Sequence, residues 1–514
     1  VPSYVVILFT IGFLVFSMIL TRYFVGDDFT WLRWAADCQQ LLQQTGLKQC
    51  GSGIPTITPF FTDSEGFFYR PGTKSYFFLA YPFFELFPLP FHIVSILLHI
   101  SASTLVFFIG KKLLRSNTFG FIAALLFLLL SVHAEAVYWS SVTGHMVTTN
   151  LLLLSFLSYM YWRETKRIIL FIIPVLATFF SMFFHEFGTT GPLLLLAYDL
   201  IHSGKSVLKQ PLRKWYYLIL LSPVVLYYFM RVSAQSVWFQ GDYSYNLSKL
   251  PFNVVGNLFG YLMITVVGPV FLPIYDNLRV QSAHSLVITG IVLLFLVCGL
   301  VILFLKKFRH ISSNTRFFLL VAFALTIIPL LPFLGLGNIT ARYAYTGSVG
   351  IVLIAAFLLQ KLFHKMRRQV VGVGVIIIVC TGYIFTQYSQ LLKINRDWAR
   401  AGEITNNFLV SLNVTYSQPG TLPLQPTFYF INIPIRYGDA WVFPVGLPDA
   451  LWFSFQNTPI NVITTATEAE AKRAILMDKN SKAFKFDKDG NLFELAIPTP
   501  ALPPVKTDSN TYGQ

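Results

Sequence analysis

Long apolar runs alternate with short polar segments along the first three quarters of the chain. Each run approaches the roughly 20 residues that a helix needs to cross a bilayer. The alternation is typical of a polytopic membrane protein. It predicts helical spans at about 4–22, 90–110, 118–136, 146–162, 167–185, 188–203, 215–232, 253–274, 283–305, 317–335, 343–362 and 370–388.

The overall composition agrees with this pattern. Of the 514 residues, 55% are hydrophobic and 12% are charged, and the mean hydropathy is +0.61. Soluble domains carry about 25% charged residues, so a water-soluble fold is excluded. We expect a mainly α fold, a transmembrane helical bundle of about 11–13 spans with a small extracytoplasmic α+β domain at its C-terminus.

Basic side chains indicate the orientation of the bundle. Five short loops carry eighteen Lys and Arg residues, whereas the short loops on the opposite side carry four. Because cytoplasmic loops are rich in Lys and Arg, the first set is expected in the cytoplasm. The net charge of +15 then follows from topology. Nucleic-acid binding would need a basic face interleaved with exposed aromatic residues.

The run at 253–274 does not fit a simple crossing, because the loops before and after it fall on the same side. Either this run is re-entrant or interfacial, or a neighbouring span is misassigned. Irregular backbone at membrane depth needs protein or water around it. The first option is favoured by Gly256, Gly260, Gly268 and Pro273.

The composition changes after about residue 389, where the chain becomes polar and rich in Pro, Asn and Thr. Thr427–Ile431 and Ala440–Phe443 are predicted as short strands, and Glu468–Met477 as a short helix. Loop parity places this region outside the cytoplasm. We expect a transmembrane catalytic domain at 1–390, with its first outer loop at 22–89, an α+β domain at 391–497 and a disordered tail at 498–514.

Two of the four cysteines, Cys38 and Cys50, lie in that first loop. Outside the cell they could form a disulfide, and the sequence leaves this open. Cys298 and Cys380 lie within apolar spans, where we expect them to be packing residues.

Several polar residues stand at the predicted outer ends of the spans. Ionisable groups near membrane depth are costly and often functional. Their gathering on one side indicates a site more strongly than any single residue does. They are Asp27, Asp28, His133, Glu135, His145, His185, Glu186, Arg342 and Tyr343.

Asp27 and Asp28 are the candidate catalytic residues. Glycosyl transfer needs a carboxylate that takes the proton of an attacking hydroxyl group. One aspartate would act as this base, and the other would bind a metal or hold the acceptor. The alternative is that the pair caps a helix, because Asp is favoured at helix N-caps.

Arg342, beside Tyr343, is a candidate for phosphate binding, because a guanidinium group binds phosphate oxygens in a bidentate way. Arg70 is a second candidate of the same type. Either arginine could instead snorkel at the membrane interface. The histidines and acids could together hold a divalent metal, although no local ligand spacing supports one. We expect a pocket that contains His133, Glu135, His145, His185 and Glu186.

Six short blocks follow one another between about residues 20 and 360. They are Gly26-Asp27-Asp28, Tyr69-Arg70-Pro71, Phe91-His92 through His99, Val132 through Val137, His185-Glu186 with Pro192 and Tyr198-Asp199, and Arg342-Tyr343-Ala344-Tyr345. The residue types in these blocks, and the order of the blocks, resemble those of the C-type membrane glycosyltransferases. The resemblance is greatest to the branch of protein O-mannosyltransferases and transmembrane O-mannosyltransferases.

The resemblance implies an inverting transferase that uses a polyprenyl- or dolichyl-phosphate sugar and, in some members, a divalent metal. Asp27 or Asp28 would be the base, and Arg342, Tyr343 and Arg70 would contact the lipid phosphate. The sugar or acceptor pocket would be lined by Glu135 and by His185 or Glu186.

The chain departs from the family pattern at three blocks and lacks the helical repeats. Leu130-Ser131 replaces His-Pro, His185 replaces a lysine, and Thr143-Gly144-His145 replaces a Gly-basic-acidic block. The identity of the donor sugar and of the acceptor, whether protein, lipid or glycan, therefore cannot be inferred from the resemblance.

We accordingly expect a lipid-phosphate-dependent hexosyltransferase of a bacterial or archaeal cell membrane, with its active site outside the cytoplasm. One alternative is a transporter or flippase of lipid-linked glycans, which would show repeated halves and polar groups near the bilayer midplane. Another is a polysaccharide ligase or polymerase, which would place its key arginines and histidine in late outer loops.

Overall fold

The computed structural model describes residues 1–44, 59–64, 68–203, 211–236, 245–283, 311–366, 369–416, 426–455 and 460–495. This part of the chain is mainly helical and has a small region of strands near its C-terminal end. The expected fold class, a helical membrane bundle followed by a small α+β region, is confirmed.

Sixteen helices of the described part precede the first strand. They are α1 (Pro2–Phe16), α2 (Asp27–Gln44), α3 (Pro59–Thr62), α4 (Pro71–Phe84), α5 (Leu89–Leu114), α6 (Asn117–Leu129), α7 (Ala134–Tyr138), α8 (Thr143–Thr165), α9 (Ile169–Phe184), α10 (Gly191–Ser203), α11 (Pro211–Ser233), α12 (Leu250–Val266), α13 (Leu272–Ala283), α14 (Ser313–Leu334), α15 (Ala344–Lys365) and α16 (Gln369–Tyr416).

Among the described residues, six helices are long and apolar enough to cross a bilayer, or seven if α6 and α7 form one broken span. Large apolar side chains such as Leu14, Val225 and Phe385 are each at least 66% exposed. This exposure is expected where lipid, rather than water, covers the surface. The chain is therefore an integral membrane protein. The span predicted at 283–305 lies almost entirely outside the described residues.

The chain between α6 and α8 is broken, and the axes of α6 and α7 differ by 51°. Leu130 and Trp139 are extended, and 3₁₀ turns at Ser131–His133 and Ser140–Val142 connect the helices. This irregular segment brings the polar groups of Glu135 and Ser141 to the end of the bundle that carries the C-terminal region, which we call the domain end.

The segment predicted at 253–274 is also broken. Helix α12 stops at Val266, and Gly268 has a φ of 106°, a conformation that favours glycine. A 3₁₀ turn at Pro269–Phe271 then leads into α13. The interruption predicted from the glycines and the proline is present, and the position of this segment in a bilayer stays a prediction.

Helix α16 contains 48 residues, which makes it about 70 Å long at 1.5 Å per residue. The hydrocarbon core of a bilayer is about 30 Å thick, so a large part of α16 projects beyond it. The projecting part buries Leu391, Ile394, Trp398 and Phe408. The domain boundary predicted between 390 and 391 therefore falls inside a continuous helix.

Six strands and two further helices follow α16. They are β1 (Thr427–Ile431), β2 (Arg436–Tyr437), β3 (Ala440–Trp441), α17 (Leu447–Ser454), β4 (Asn461–Ile463), α18 (Glu468–Met477), β5 (Ser481–Phe486) and β6 (Leu492–Glu494). The larger sheet has the order β4-β1-β5-β6, in which β1 is parallel to β4 and β5 while β6 is antiparallel to β5. We call this region, 426–495, the C-terminal domain.

Two predicted elements of the C-terminal domain, Thr427–Ile431 and Glu468–Met477, are confirmed with their bounds. The helix begins with a capping box, in which Thr467 and Glu470 bind each other's backbone N–H groups and so satisfy two donors at the helix start. The sheet packs on α16 through Phe408, whose ring centroid lies 5.7 Å from that of Phe430 and 5.8 Å from that of Phe486.

Cys38 is disulfide-bonded, as the sequence allowed, and Cys380 has a free thiol. Cys50, Cys298 and the tail predicted as disordered at 498–514 lie outside the described residues.

Candidate active site

A cavity of about 720 Å³ lies between the domain end of the bundle and the C-terminal domain. This volume is within the range of small-molecule sites. The floor is formed by the bundle and carries charged and polar groups. The cover comes from the C-terminal domain and is mostly apolar. The floor includes Asp27, Thr30, Arg70, Thr73, Ser141, Gly144, His145, His185, Arg342 and Tyr343, and the cover includes Ile433, Ile435, Phe443, Pro444, Val445, Leu447 and Asp449.

Asp27 is the first residue of α2 and lies directly below the cover. The preceding Gly26 has a φ of 44°, and a Cβ atom there would lie 2.9 Å from Pro444 in the C-terminal domain. One carboxylate oxygen of Asp27, Oδ1, is buried and has no hydrogen-bond partner among the residues that the structure describes. Asp27 therefore offers an acceptor to a molecule in the cavity.

Asp28 has a different environment and does not line the cavity. Its Oδ2 accepts a hydrogen bond from the backbone N–H of Val25 (3.1 Å). Its Oδ1 accepts bonds from the N–H (2.7 Å) and the hydroxyl of Ser141 (2.6 Å). Asp28 thus joins the start of α2 to the 3₁₀ turn before α8. These hydrogen bonds fix the start of α2 and so hold the neighbouring Asp27 beside the cavity.

Burial affects the ionisation of both aspartates. It raises the pKa of Asp27 to about 6, although the nearby Arg342 and Arg70 guanidinium groups act in the opposite direction. Burial also raises the pKa of Asp28 to about 7, against the hydrogen bonds from Ser141 and Val25, which favour the charged form. An aspartate with a pKa near 6 is a stronger base than an ordinary carboxylate.

Arg70 precedes α4, which begins at Pro71, a favourable residue for the first helical position. Its Nε lies 3.1 Å from both carboxylate oxygens of Glu186, and its Nη2 donates to Oε2 over 2.9 Å. The side chains of Arg70 and Glu186 are 14% and 21% exposed. This bidentate pair holds the guanidinium group at the cavity wall, while Glu186 itself does not line the cavity.

Arg342 lies in the 3₁₀ turn before α15 and is paired with Glu135 of α7. Its Nη1 donates to Oε1 of Glu135, and its backbone N–H donates to Oε2 over 3.2 Å. The guanidinium group also lies over the ring of Trp139, 5.2 Å from its centroid. Glu135 is 8% exposed and does not line the cavity. It therefore acts on the site through Arg342.

Tyr343, His145 and His185 form an aromatic wall of the cavity. Tyr343 stacks on Phe333 with a centroid distance of 4.0 Å and an interplanar angle of 8°. The rings of His145 and His185 are edge to face at 5.2 Å. Nδ1 of His185 lies 3.2 Å from Oε2 of Glu186, which connects this wall to the Arg70 pair.

His133, which the sequence analysis placed in the pocket, lies in the core of the bundle instead. Its Nε2 is hydrogen-bonded to the hydroxyl of Ser348 over 2.9 Å. Its ring packs against Phe127 and Tyr345, both at a centroid distance of 4.5 Å. The 3₁₀ turn that contains His133 directs this side chain away from the cavity.

The C-terminal domain contributes residues to the site that no local sequence pattern indicates. Asp449, in the first turn of α17, accepts hydrogen bonds from Thr30 (2.6 Å) and from Arg33 (2.9 Å). Trp441 donates its indole N–H to Glu135 over 3.0 Å. Gly446 and Pro448 mark the start of α17 in the sequence, but no local signal connects this helix with residues some 420 positions earlier.

Among the residues that the structure describes, no group of three His, Cys, Asp or Glu side chains could hold a metal ion. Two further acids beside the cavity, Glu135 and Glu186, are both paired with arginines.

The chain matches no protein-family model, and no curated protein matches it in sequence. Among solved structures it is similar to ArnT from Cupriavidus metallidurans, which was crystallised with undecaprenyl phosphate. The TM-score is 0.48 at 12% sequence identity, over 95% of this chain and 93% of that chain. At this degree of similarity, a function for the chain must rest on the geometry of its own site.

Proposed function

We propose that the chain is an inverting C-type glycosyltransferase that moves a hexosyl group from a polyprenyl- or dolichyl-phosphate donor to a hydroxyl acceptor. One observation carries the proposal. The cavity combines a carboxylate of raised pKa, Asp27, which has a buried oxygen without a described partner, with two positioned guanidinium groups, Arg70 and Arg342. These are the groups that transfer from a phosphate-linked sugar requires.

In the proposed reaction Asp27 accepts the proton of the acceptor hydroxyl as its oxygen attacks the anomeric carbon. The new glycosidic bond forms on the face opposite the bond to the phosphate oxygen, which breaks with its electron pair. The configuration at the anomeric carbon is therefore inverted. General base catalysis of this kind contributes about 10²- to 10⁴-fold to a rate.

The leaving lipid phosphate gains negative charge as the bond breaks. Arg342 and Arg70 would stabilise this charge, because donors fixed before the reaction need no reorganisation during it. Glu135 and Glu186 hold these two side chains in place through the buried pairs described above. Tyr343 would support the phosphate or the sugar from the aromatic wall.

The position of the cavity agrees with a lipid-linked donor, because the apolar spans beside it would accommodate the hydrocarbon chain. The acceptor, a protein, lipid or glycan, would approach under the apolar cover of the C-terminal domain. We place this end of the bundle outside the cytoplasm of a bacterial or archaeal cell, on the basis of loop charge. The mechanism assigns no step to a metal ion.

A transport function is less well supported by the same geometry. A transporter would bind its substrate between repeated halves near the middle of the bilayer. Here the charged groups lie where the helices meet the C-terminal domain, and that domain covers them.

The test is a transfer assay with purified protein, polyprenyl-phosphate hexoses and a panel of hydroxyl acceptors. We expect Asp27→Asn to lower the rate by about 10³-fold without changing the thermal unfolding temperature. Asp489→Asn is the matched control, because this aspartate is exposed in the C-terminal domain, and it should keep the wild-type rate. A wild-type protein that transfers no sugar from any lipid-phosphate donor, or an Asp27→Asn variant of full activity, would refute the proposal.

A further inference from the structure

One buried polar side chain on the cavity wall has no role in the reaction outlined above. His145 is 2% exposed, and it lines the cavity. Neither of its ring nitrogens has a hydrogen-bond partner among the residues that the structure describes. A buried polar group without a partner is costly, so this ring is expected to bind something that the cavity receives.

The position of His145 in its helix adds to this expectation. It is the third residue of α8, a helix of 23 residues whose first turn has no acidic side chain and no side-chain cap. Backbone N–H groups in a first turn lack partners within the helix, and the helix dipole favours an anion there. Gly144, in the same turn, also lines the cavity, so this turn borders the space that a ligand would occupy.

The charges around the first turn of α8 indicate which kind of anion can bind there. Arg70 and Arg342 both act electrostatically on His145, and each is paired with a buried or half-buried glutamate. The arginines therefore bring donors but little uncompensated charge. A lipid monophosphate, held largely by neutral donors, suits this arrangement better than a lipid diphosphate, which carries more negative charge.

We infer that His145 and the first turn of α8 form the anion-binding centre of the cavity, and that they bind the phosphoryl oxygens of a lipid monophosphate. A neutral imidazole has one N–H donor and one acceptor. The donor would bind a phosphoryl oxygen, and the second nitrogen would accept a hydrogen bond from a sugar hydroxyl. The inference rests on the proposed function and adds a binding residue to it.

Binding can be measured without transfer, by native mass spectrometry or thermophoresis of the purified full-length protein. The probes are undecaprenyl phosphate, undecaprenyl diphosphate and undecaprenol, with inorganic phosphate as a competitor. We expect the monophosphate to bind most tightly. His145→Leu should weaken its binding by roughly 10- to 100-fold, the range for loss of a hydrogen bond to a charged group, and should leave undecaprenol binding unchanged.

Two further variants separate donation from packing. His145→Asn retains a neutral N–H donor and should recover part of the lost affinity. His364→Leu makes the same substitution at an exposed histidine on the far end of α15 and should bind like the wild type. Competition by inorganic phosphate would show that the phosphoryl group, rather than the hydrocarbon chain, occupies the site.

The possible failures can be told apart. Equal binding of undecaprenyl phosphate by wild type and His145→Leu overturns the assignment of His145 and leaves the proposed function standing. Tighter binding of the diphosphate contradicts the charge argument. A wild-type protein that does not distinguish undecaprenyl phosphate from undecaprenol contradicts the proposed function itself, and the inference with it.

Discussion

The indole N–H of Trp441, in strand β3, donates a hydrogen bond to Oε1 of Glu135, in helix α7, over 3.0 Å. The same oxygen accepts a bond from Arg342. A residue of the C-terminal domain therefore takes part in orienting an arginine of the membrane bundle. The domain is consequently a structural part of the candidate active site and also covers it.

Replacing Trp441 by Phe should lower the efficiency of sugar transfer. The ring keeps most of its packing area, but Glu135 loses a donor to a charged acceptor, which is worth about 1.5–3 kcal/mol. Glu135 would then hold the Arg342 guanidinium group less firmly, and kcat/KM for the lipid-phosphate donor should fall by roughly 10-fold or more. Steady-state kinetics with varied donor, together with thermal unfolding, measure the effect.

The matched control is Trp215→Phe, because Trp215 lies on α11 and is 66% exposed. It should keep wild-type kinetics. A Trp441→Phe variant that unfolds at a lower temperature but transfers sugar with unchanged kcat/KM would show that the contact serves docking of the domain alone.

The pH dependence of transfer should follow Asp27. Burial raises the pKa of its carboxyl group to about 6. The group is protonated below that pH and then cannot accept the acceptor's proton. We therefore expect kcat/KM to be constant above the pKa and to fall about 10-fold per pH unit below it.

A second variant tests whether Asp27 is the titrating group. The negative charge of Asp449 contributes to the raised pKa of Asp27, so Asp449→Asn should move the acidic limb of the profile to lower pH. An acidic limb that stays in place, or moves to higher pH, would assign the titration to another residue.

Substitution of Asp28 should affect the stability of the protein more than substitution of Asp27 does. Its two oxygens accept three hydrogen bonds, from Val25 and Ser141. An asparagine would direct its NH₂ group at one of these donors, at a cost of about 1–3 kcal/mol. Asp28→Asn should therefore lower the unfolding temperature and reduce transfer less than Asp27→Asn does. Complete loss of transfer at unchanged stability would identify Asp28 as the base instead.

Elements with a strong local signal could be predicted from the sequence. Contacts between distant segments could not. The helix Glu468–Met477 was predicted with its bounds, and its start carries the capping pair Thr467 and Glu470. The adjacent Asp27 and Asp28 could not be distinguished, because their roles depend on Ser141, more than a hundred residues away. The bond between Trp441 and Glu135 spans 306 positions and has no local signature.

The predicted domain boundary falls inside α16 for a different reason. The polar composition after residue 389 suggested that the membrane domain had ended, yet α16 continues to Tyr416. A periodic signal was present, because the buried residues Leu391, Ile394, Trp398 and Ala401 recur every three or four positions, as one face of a helix requires. Mean composition concealed this pattern, since the other faces are exposed to solvent.

The side of the membrane on which the C-terminal domain lies can be tested by labelling cysteines in intact cells. In a background without Cys298 and Cys380, Asp489→Cys should react with a membrane-impermeant maleimide. Lys361→Cys, near the far end of α15, should react only after permeabilisation. This expectation follows from the basic loops, which remain in the cytoplasm. The opposite labelling pattern would invert the assigned topology.

The close contact between the bundle and the cover should make Gly446 intolerant of a side chain. Its φ is 85°, which disfavours alanine, and a Cβ atom there would overlap the carbonyl oxygen of Gly26, directly before Asp27. Gly446→Ala should therefore displace the cover or Asp27. It should lower the transfer rate by at least roughly 10-fold and should also lower the unfolding temperature.

Gly374→Ala is the matched control, because that position in α16 has open space around it and alanine favours a helix by up to about 1 kcal/mol. Full activity and stability of Gly446→Ala would mean that the C-terminal domain does not sit against Asp27 in the working enzyme.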